Sequence, residues 1–346
     1  MSIYIVIVVI AVFACCFKGK YKVIGNVVSM LLMLAMFVVC AFRHESVGAD
    51  TSMYLTIYNS PRLLEYYADE PIFYWLVKTM RDMDLSPYDA QFIMSLLAYI
   101  PLFWLFKRRS FDFSLSVLLF IVAYNSYFLE TMNIVRQSIS TPFLLWAYLL
   151  IDDKKYWKAL ICMLIAIGFH SSSLIYVPLI VLAYYVKMSN KLMLILMTCA
   201  LAFALVFSEV AFIQDLIRLL EKNPILGLDK YSHYTDYKIE LSRTLFGLIP
   251  MLVPTCAVAV YSYKVLSRNF LSRLFCFGVL FLCLVSIMPT SYRMAYGIVA
   301  LELLLIPQLM KVDKKGRTFI LAIVAFNVLY CLYRLQMFGD EVYKMY

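Results

Sequence analysis

The chain has 346 residues, of which 64% are hydrophobic and only 15% charged, with a mean hydropathy of +0.82. That balance excludes a soluble domain, which needs a wetted surface, and makes lipid the main solvent. The formal net charge of +9 comes as short basic clusters between apolar segments rather than along one face, which argues against a nucleic-acid-binding stripe and for membrane topology.

Apolar segments lie at about 2–17, 23–42, 89–106, 111–128, 138–151, 157–169, 173–186, 192–207, 244–263, 271–288, 293–310 and 318–335, each bounded by polar or charged residues. The first is apolar at once and lacks a basic leader and a small-residue cleavage motif, so it reads as a retained span rather than a removed signal peptide. At roughly 25 residues per span and loop, the length admits about a dozen helices and little else. The fold class expected is therefore all-α: a polytopic integral membrane helix bundle of about 12 spans (10–12), forming one membrane domain over 1–346.

Charge orients the bundle. With the N-terminus outside, the inner loops hold Lys18, Lys20, Lys22, Lys107, Arg108, Arg109, Lys154, Lys155, Lys158, Lys187, Lys191, Lys264, Arg268, Arg273, Lys311, Lys314, Lys315 and Arg317, against only Asp112, Asp152, Asp153 and Asp313. Both termini are then outside, as the positive-inside rule requires. The break at His170-Ser171-Ser172-Ser173 is the least marked, because Trp157 to Val186 can also be read as one long tilted helix. Parity keeps the break: merging the two spans would put Lys311 to Arg317 outside and the acidic 208–243 stretch inside.

Two segments are longer than hairpin connections, 43–88 and 208–243, and both are expected on the periplasmic side. Loops of that length in an economical membrane protein are usually functional or partly helical, and Pro71 to Met80 is patterned as an amphipathic interfacial helix. All nine cysteines lie in apolar stretches without a CxxC pair, which argues against disulfide and zinc-ribbon frameworks.

The chemistry-bearing residues gather on the outer side. Arg43, Arg136, Arg243 and Arg293 each stand at or near the outer end of a span. Interface anchoring accounts for any one of them. Four on the face that the charge rule depletes point to an anionic ligand, and a lipid-linked phosphate or pyrophosphate suits guanidinium groups that pair bidentately and stay charged. A transferase using such a leaving group needs one further element, a base for the acceptor hydroxyl.

His170, where an apolar helix meets three serines, is the best candidate for that base, and a helix-end histidine bonded to backbone is the competing reading. His233, in Tyr231-Ser-His-Tyr-Thr-Asp-Tyr237, suits a sugar site or plain loop surface. The three histidines show no HExxH or HxH spacing, so no metal is expected. Asp50, Glu70, Asp215, Asp236 and Glu240 are available to orient arginines or bind sugar hydroxyls, although most are expected to be solvated. Glu302, inside a span, is expected to face protein, with a partner other than Arg293 because nine residues is more than two helical turns. There is no P-loop, GxGxxG or GxSxG motif, so nucleotide-driven pumps and α/β-hydrolases are set aside and no cofactor is expected.

Four ordered motifs carry a resemblance. Arg43-His-Glu-Ser-Val-Gly48-Ala-Asp50-Thr51-Ser-Met-Tyr54, then Glu70-Pro71-Ile-Phe-Tyr74, then Asn133-Ile-Val-Arg136-Gln137-Ser-Ile, then Phe169-His170-Ser-Ser-Ser173, together resemble the EpsG-like branch of Wzy-type bacterial polysaccharide polymerases, and Ser291-Tyr292-Arg293-Met-Ala-Tyr296 matches more loosely. The family pattern often has Gly-Thr-Asp where this chain has Gly48-Ala49-Asp50. The resemblance implies a glycosyltransferase of the bacterial inner membrane, moving a glycan from undecaprenyl pyrophosphate to a lipid-linked repeat unit at the periplasmic face, in O-antigen, capsule or exopolysaccharide synthesis. It also implies a flippase and a chain-length regulator as partners. Carried onto this chain, His170, Arg136 and Arg293 become the catalytic candidates, and Arg43, Asp50, Tyr54, Gln137, Arg243, His233 and Tyr292 the substrate-binding ones. A lipid-linked oligosaccharide flippase, which should show mid-span charges or matching halves, and an O-antigen ligase, which differs only in its acceptor, are the alternatives.

Overall fold

In a computed structural model the described residues are 3–48, 50–123, 126–207, 241–266, 268–286 and 291–338, with side chains at 207, 241–247, 291–292 and 337–338 outside that description. The structure is all-helical, at 84% helix and with no strand among the described residues. It divides into two compact units, Met1–Ile180 with Ala300–Tyr346, and Val181–Val299.

In the first unit, α1 (Ile3–Cys16) and α2 (Lys22–Ala41) form a hairpin against α6 (Pro87–Arg109) and α7 (Phe113–Val122). The α2 helix buries Leu32, Met33, Met36 and Cys40 while exposing Val23, Val27, Leu31, Leu34 and Val38. A helix apolar on its packed face and on its open face alike is in equilibrium with lipid rather than water. Three short helices lie between α2 and α6: α3 (Thr51–Asn59), α4 (Pro61–Glu65) and α5 (Pro71–Asp82). The amphipathic element expected at Pro71 to Met80 is α5, which buries Phe73, Val77 and Met80 at the i, i+4, i+7 spacing. A capping box of Ser86 and Asp89, with Pro87 in the first turn, starts α6 sharply.

The centre of this unit is α8 (Tyr127–Asn133), every residue of which is buried, packed against α9 (Val135–Asp152). On α7, Ser116 Oγ donates to the Leu303 carbonyl of α16 (Glu302–Val312) at 2.7 Å. Tyr127 OH donates to Glu302 Oε1 at 3.0 Å, so the buried carboxyl within a span has a tyrosine for its partner, as the spacing from Arg293 requires. The α10 helix (Tyr156–Phe169) packs along α9, and α17 (Arg317–Phe338) closes the unit.

The break expected at His170 is present. His170 leaves the helix with φ −153° and ψ 106°, a short 3-10 helix follows at Ser171–Ile175, and α11 (Tyr176–Tyr185) begins after it.

The second unit contains the later part of α11, then α12 (Asn190–Phe207), α13 (Leu241–Val265), α14 (Phe270–Val285), a 3-10 helix at Ser291–Ala295 and α15 (Tyr296–Val299). Arg273 is buried because its guanidinium serves carbonyls, donating to Ala183 at 2.6 Å and to Arg268. The Tyr263 hydroxyl both accepts from the Met188 amide at 3.0 Å and donates to its carbonyl at 2.9 Å.

Each of the twelve apolar segments carries helix, but the helices differ in reach. Five described helices are long and apolar enough to cross a membrane, and a sixth if α7 and α8, bent by 56°, act as one broken span. The stretches at α1, α10, α11 and α14, and Asn190–Val206 within α12, are apolar but of 10–17 residues. Hydropathy marks such segments as spans, while the physical length of the rod falls short of a ~30 Å hydrocarbon core.

Candidate functional site

A buried carboxylate organises the polar end of α9 and α10. Glu70 precedes Pro71, whose ring disfavours helical backbone at the residue before it, so Glu70 takes φ −113° and ψ 74° and its side chain stands at the mouth of α5. Only 2% of Glu70 is exposed. Its Oε2 accepts from Arg136 Nη1, at the start of α9. Its Oε1 lies 3.1 Å from His170 Nδ1 and accepts from the Ser171 amide at 3.1 Å and the Ser171 hydroxyl at 3.4 Å. Residues 66 and 101 positions apart from Glu70 thus meet on one side chain.

Burial by itself would raise this carboxyl, but the hydrogen bond from His170 and the charge of Arg136 outweigh it and hold Glu70 down at about 2. The group is a carboxylate at any physiological pH.

Arg136 is enclosed. Its Nε donates to Tyr54 OH at 3.4 Å from α3, and its guanidinium carbon lies 4.3 Å from the Tyr67 ring and 5.6 Å from the Phe73 ring. Tyr67 and Phe73 meet edge to face, as do Tyr54 and Phe73. Burial, set against the Arg136 charge, raises the Tyr67 phenol, and Asp50 adds to the rise. An aromatic wall with a fixed carboxylate leaves this arginine one geometry.

Two glycines allow the approach. At Gly168 an added Cβ would lie 2.5 Å from Ile72 Cγ1, so only a bare α-carbon lets α10 come close enough to α5 for Glu70 to reach His170 and Ser171. Gly48 has φ +86°, and a Cβ there would lie 2.8 Å from the Met132 carbonyl, which seats the loop after α2 against α8.

Of the residues expected to act, the structure brings together Arg136, His170 and Tyr54, with Gln137 buried beside Arg136 on α9 and Asp50 at the start of α3. Arg43 is buried and its donors go elsewhere: Nε to Thr51 Oγ1 at 2.9 Å, Nη1 to the Cys40 carbonyl at 2.6 Å. It ties the end of α2 to α3. Arg293 lies in the second unit on the 3-10 helix Ser291–Ala295. Tyr292 and Arg243 have described backbones but side chains outside the described set, and His233 with the whole 208–240 stretch is outside it as well. No cluster of metal-ligating side chains occurs among the described residues.

Glu70 was one of several carboxylates available to orient arginines, most of them expected to be solvated, and it is buried. Its partners come from segments that no local pattern links to it. The available signal was its place in the ordered motifs, directly before a helix-starting proline.

The same segments are spanned by a known family. The EpsG family model matches residues 26–345, nearly the whole chain. The chain belongs to the EpsG family. EpsG is a Wzy-like polysaccharide polymerase family, and with the apolar helices the membership identifies a multi-pass membrane protein of polysaccharide polymerase type. No curated protein and no solved structure matches the chain.

Proposed function

We propose that this EpsG-family protein is a glycosyltransferase that moves a growing glycan from undecaprenyl pyrophosphate to a lipid-linked repeat unit at the outer face of the bacterial inner membrane. The observation that carries the reading is the convergence of Arg136 and His170 on buried Glu70, from three chain segments that the family match spans. Such a reaction asks for a base near the acceptor and cationic groups near the departing pyrophosphate. His170 is the base in this reading. Arg136 presents to the pyrophosphate whatever guanidinium edge Glu70 and Tyr54 leave, and the family resemblance offers Arg293 as a further cation. Asp50, Tyr54 and Gln137, with Arg43, serve the acceptor side, and the family resemblance offers Tyr292, Arg243 and His233 as further substrate-binding residues.

A twelve-span topology with both termini outside, in one integral membrane domain, puts this cluster on the periplasmic side and agrees with the charge bias of the loops. In that setting a flippase supplies the substrate and a chain-length regulator sets the product.

The deciding experiment reconstitutes the purified protein with a lipid-linked repeat and follows polymer growth without added nucleotide. Growth is expected, and its absence with intact protein defeats the proposal. Gene deletion separates the alternatives on a gel. Loss of the ladder with one capped repeat fits a polymerase, lipid-bound polymer beside bare core fits a ligase, and an unchanged ladder removes both. Arg136→Ala strips Glu70 of its cation, so Arg136→Lys is the cleaner variant: charge stays, the planar fork goes. Wild-type polymer length from Arg136→Lys would defeat the role given to that fork.

A further inference from the structure

Four contacts meet Glu70: besides the Ser171 hydroxyl at 3.4 Å there are three, two of which leave no choice about protons. Arg136 Nη1 and the Ser171 amide can only donate. The third contact, 3.1 Å from Oε1 to His170 Nδ1, needs a hydrogen between its atoms, and a carboxylate that stays ionised has none to give. The hydrogen therefore belongs to Nδ1. In the neutral ring this leaves the lone pair on Nε2.

From this geometry we infer that Glu70 is a positioning residue: it selects the His170 tautomer in which Nε2 is the free base, and fixes the direction in which that nitrogen faces. The inference rests on the polymerase reading for its chemistry, though not for the tautomer itself. In the transfer step the acceptor hydroxyl oxygen bonds to the anomeric carbon of the donor glycan. The bond from that carbon to the pyrophosphate oxygen breaks, its electron pair leaves on the pyrophosphate, and the hydroxyl proton passes to Nε2. Glu70 then stabilises the imidazolium without taking its proton, the division of labour in which a buried carboxylate orients a histidine. Ser171 and Arg136 hold Glu70 still while this happens. Tyr54, Tyr67 and Phe73 stand about Arg136, with Asp50 acting on Tyr67.

Glu70→Gln discriminates this role from simple bridging, because the amide has one acceptor and one donor end. Arg136 offers only N–H and, being charged, makes the stronger claim on the amide oxygen; the amide nitrogen then faces His170, and the Ser171 N–H, also a donor only, loses its acceptor. Nδ1 then becomes the acceptor and the proton moves to Nε2, which blocks the base.

The experiment combines nitrogen-15 spectra of histidine-labelled protein in bilayers with polymer kinetics. The His170 signal is assigned by its loss in His170→Ala. We expect Nδ1–H in the wild type and Nε2–H in Glu70→Gln, with kcat lower by roughly 100-fold or more, KM within about twofold, and partial recovery in Glu70→Asp. A wild-type ring carrying its proton on Nε2 overturns the inference whatever the activity, and so does a Glu70→Gln protein with the wild-type kcat. If Glu70→Gln does not fold, the wild-type spectrum decides alone. A wild type that makes no polymer yet shows Nδ1–H defeats the polymerase reading and leaves the tautomer assignment standing.

Discussion

The α9 helix has an arginine–carboxylate pair at each end, and the two are built differently. At its start Arg136 meets Glu70, with 17% and 3% of their side chains exposed. Just past its other end Asp153 takes both Nη atoms of Arg109, at 2.8 and 2.9 Å, with Lys155 at 3.2 Å, and about a quarter of each member of the Arg109 pair is exposed. The pair at the start of α9 adds a histidine, a serine and three aromatic rings; the pair past its far end adds Lys155. Both carboxylates are held at about 2, Glu70 against its own burial by His170 and Arg136, Asp153 chiefly by the Arg109 hydrogen bonds. Equal acidity thus arises from unequal circumstances. Where water can replace the partner the pair is a clip, and where it cannot the pair is a commitment.

The difference sets the sizes of several expected effects. Glu70→Ala leaves Arg136 uncompensated in its aromatic enclosure and should cost about 3–5 kcal/mol, read as a large fall in unfolding midpoint in detergent. A loss no bigger than that of Asp153→Ala would erase the distinction drawn here. Acid follows the same logic. Glu70 has a folded value below its unfolded one, so its contribution is complete above about 4.5 and disappears as pH drops through that value toward about 2. The stability gap between wild type and Glu70→Gln should therefore close in acid, and a gap that widened there would contradict the assigned charge state. Gly168→Leu places carbon on Ile72 and should lever α10 from α5, costing about 1–3 kcal/mol and lowering polymer formation more than stability. Unchanged activity would show that the approach at Gly168 does not govern the site. Arg109→Ala should cost only about 0.2–1 kcal/mol, shrink further in high salt, and leave polymer length untouched.

How much of this could be read from residues alone divides along the range of the interactions. The helical segments and the amphipathic turn after Pro71 follow from local pattern, the interruption at His170 from the charge parity of the later loops, and the structure has all three. So does the conclusion that Glu302 bonds something other than Arg293. The count of crossings is another matter, because hydropathy reports composition while crossing depends on unbroken length, and breaks such as the one between α7 and α8 shorten the rods. The site was legible in parts. Arg136 and His170 stood out by type and position, whereas Glu70 looked like one more outer carboxylate, since its burial is made by side chains 66 and 100 residues away. Arg43 stood out by type in the same way, and the structure shows its Nε and Nη1 bonded to Thr51 and Cys40, within eight residues of it.

The interruption at His170 limits α10 to 14 residues, a rod of about 21 Å beside a hydrocarbon slab of roughly 30 Å. On the proposed topology, with Lys155 and Lys158 anchored among the inner headgroups, its far end stops several ångströms beneath the opposite interface. The cluster at that end would then lie below the headgroups, nearer to acyl chains than to bulk water. Catalysis would accordingly respond to acyl-chain length, running faster in thin bilayers than in thick ones.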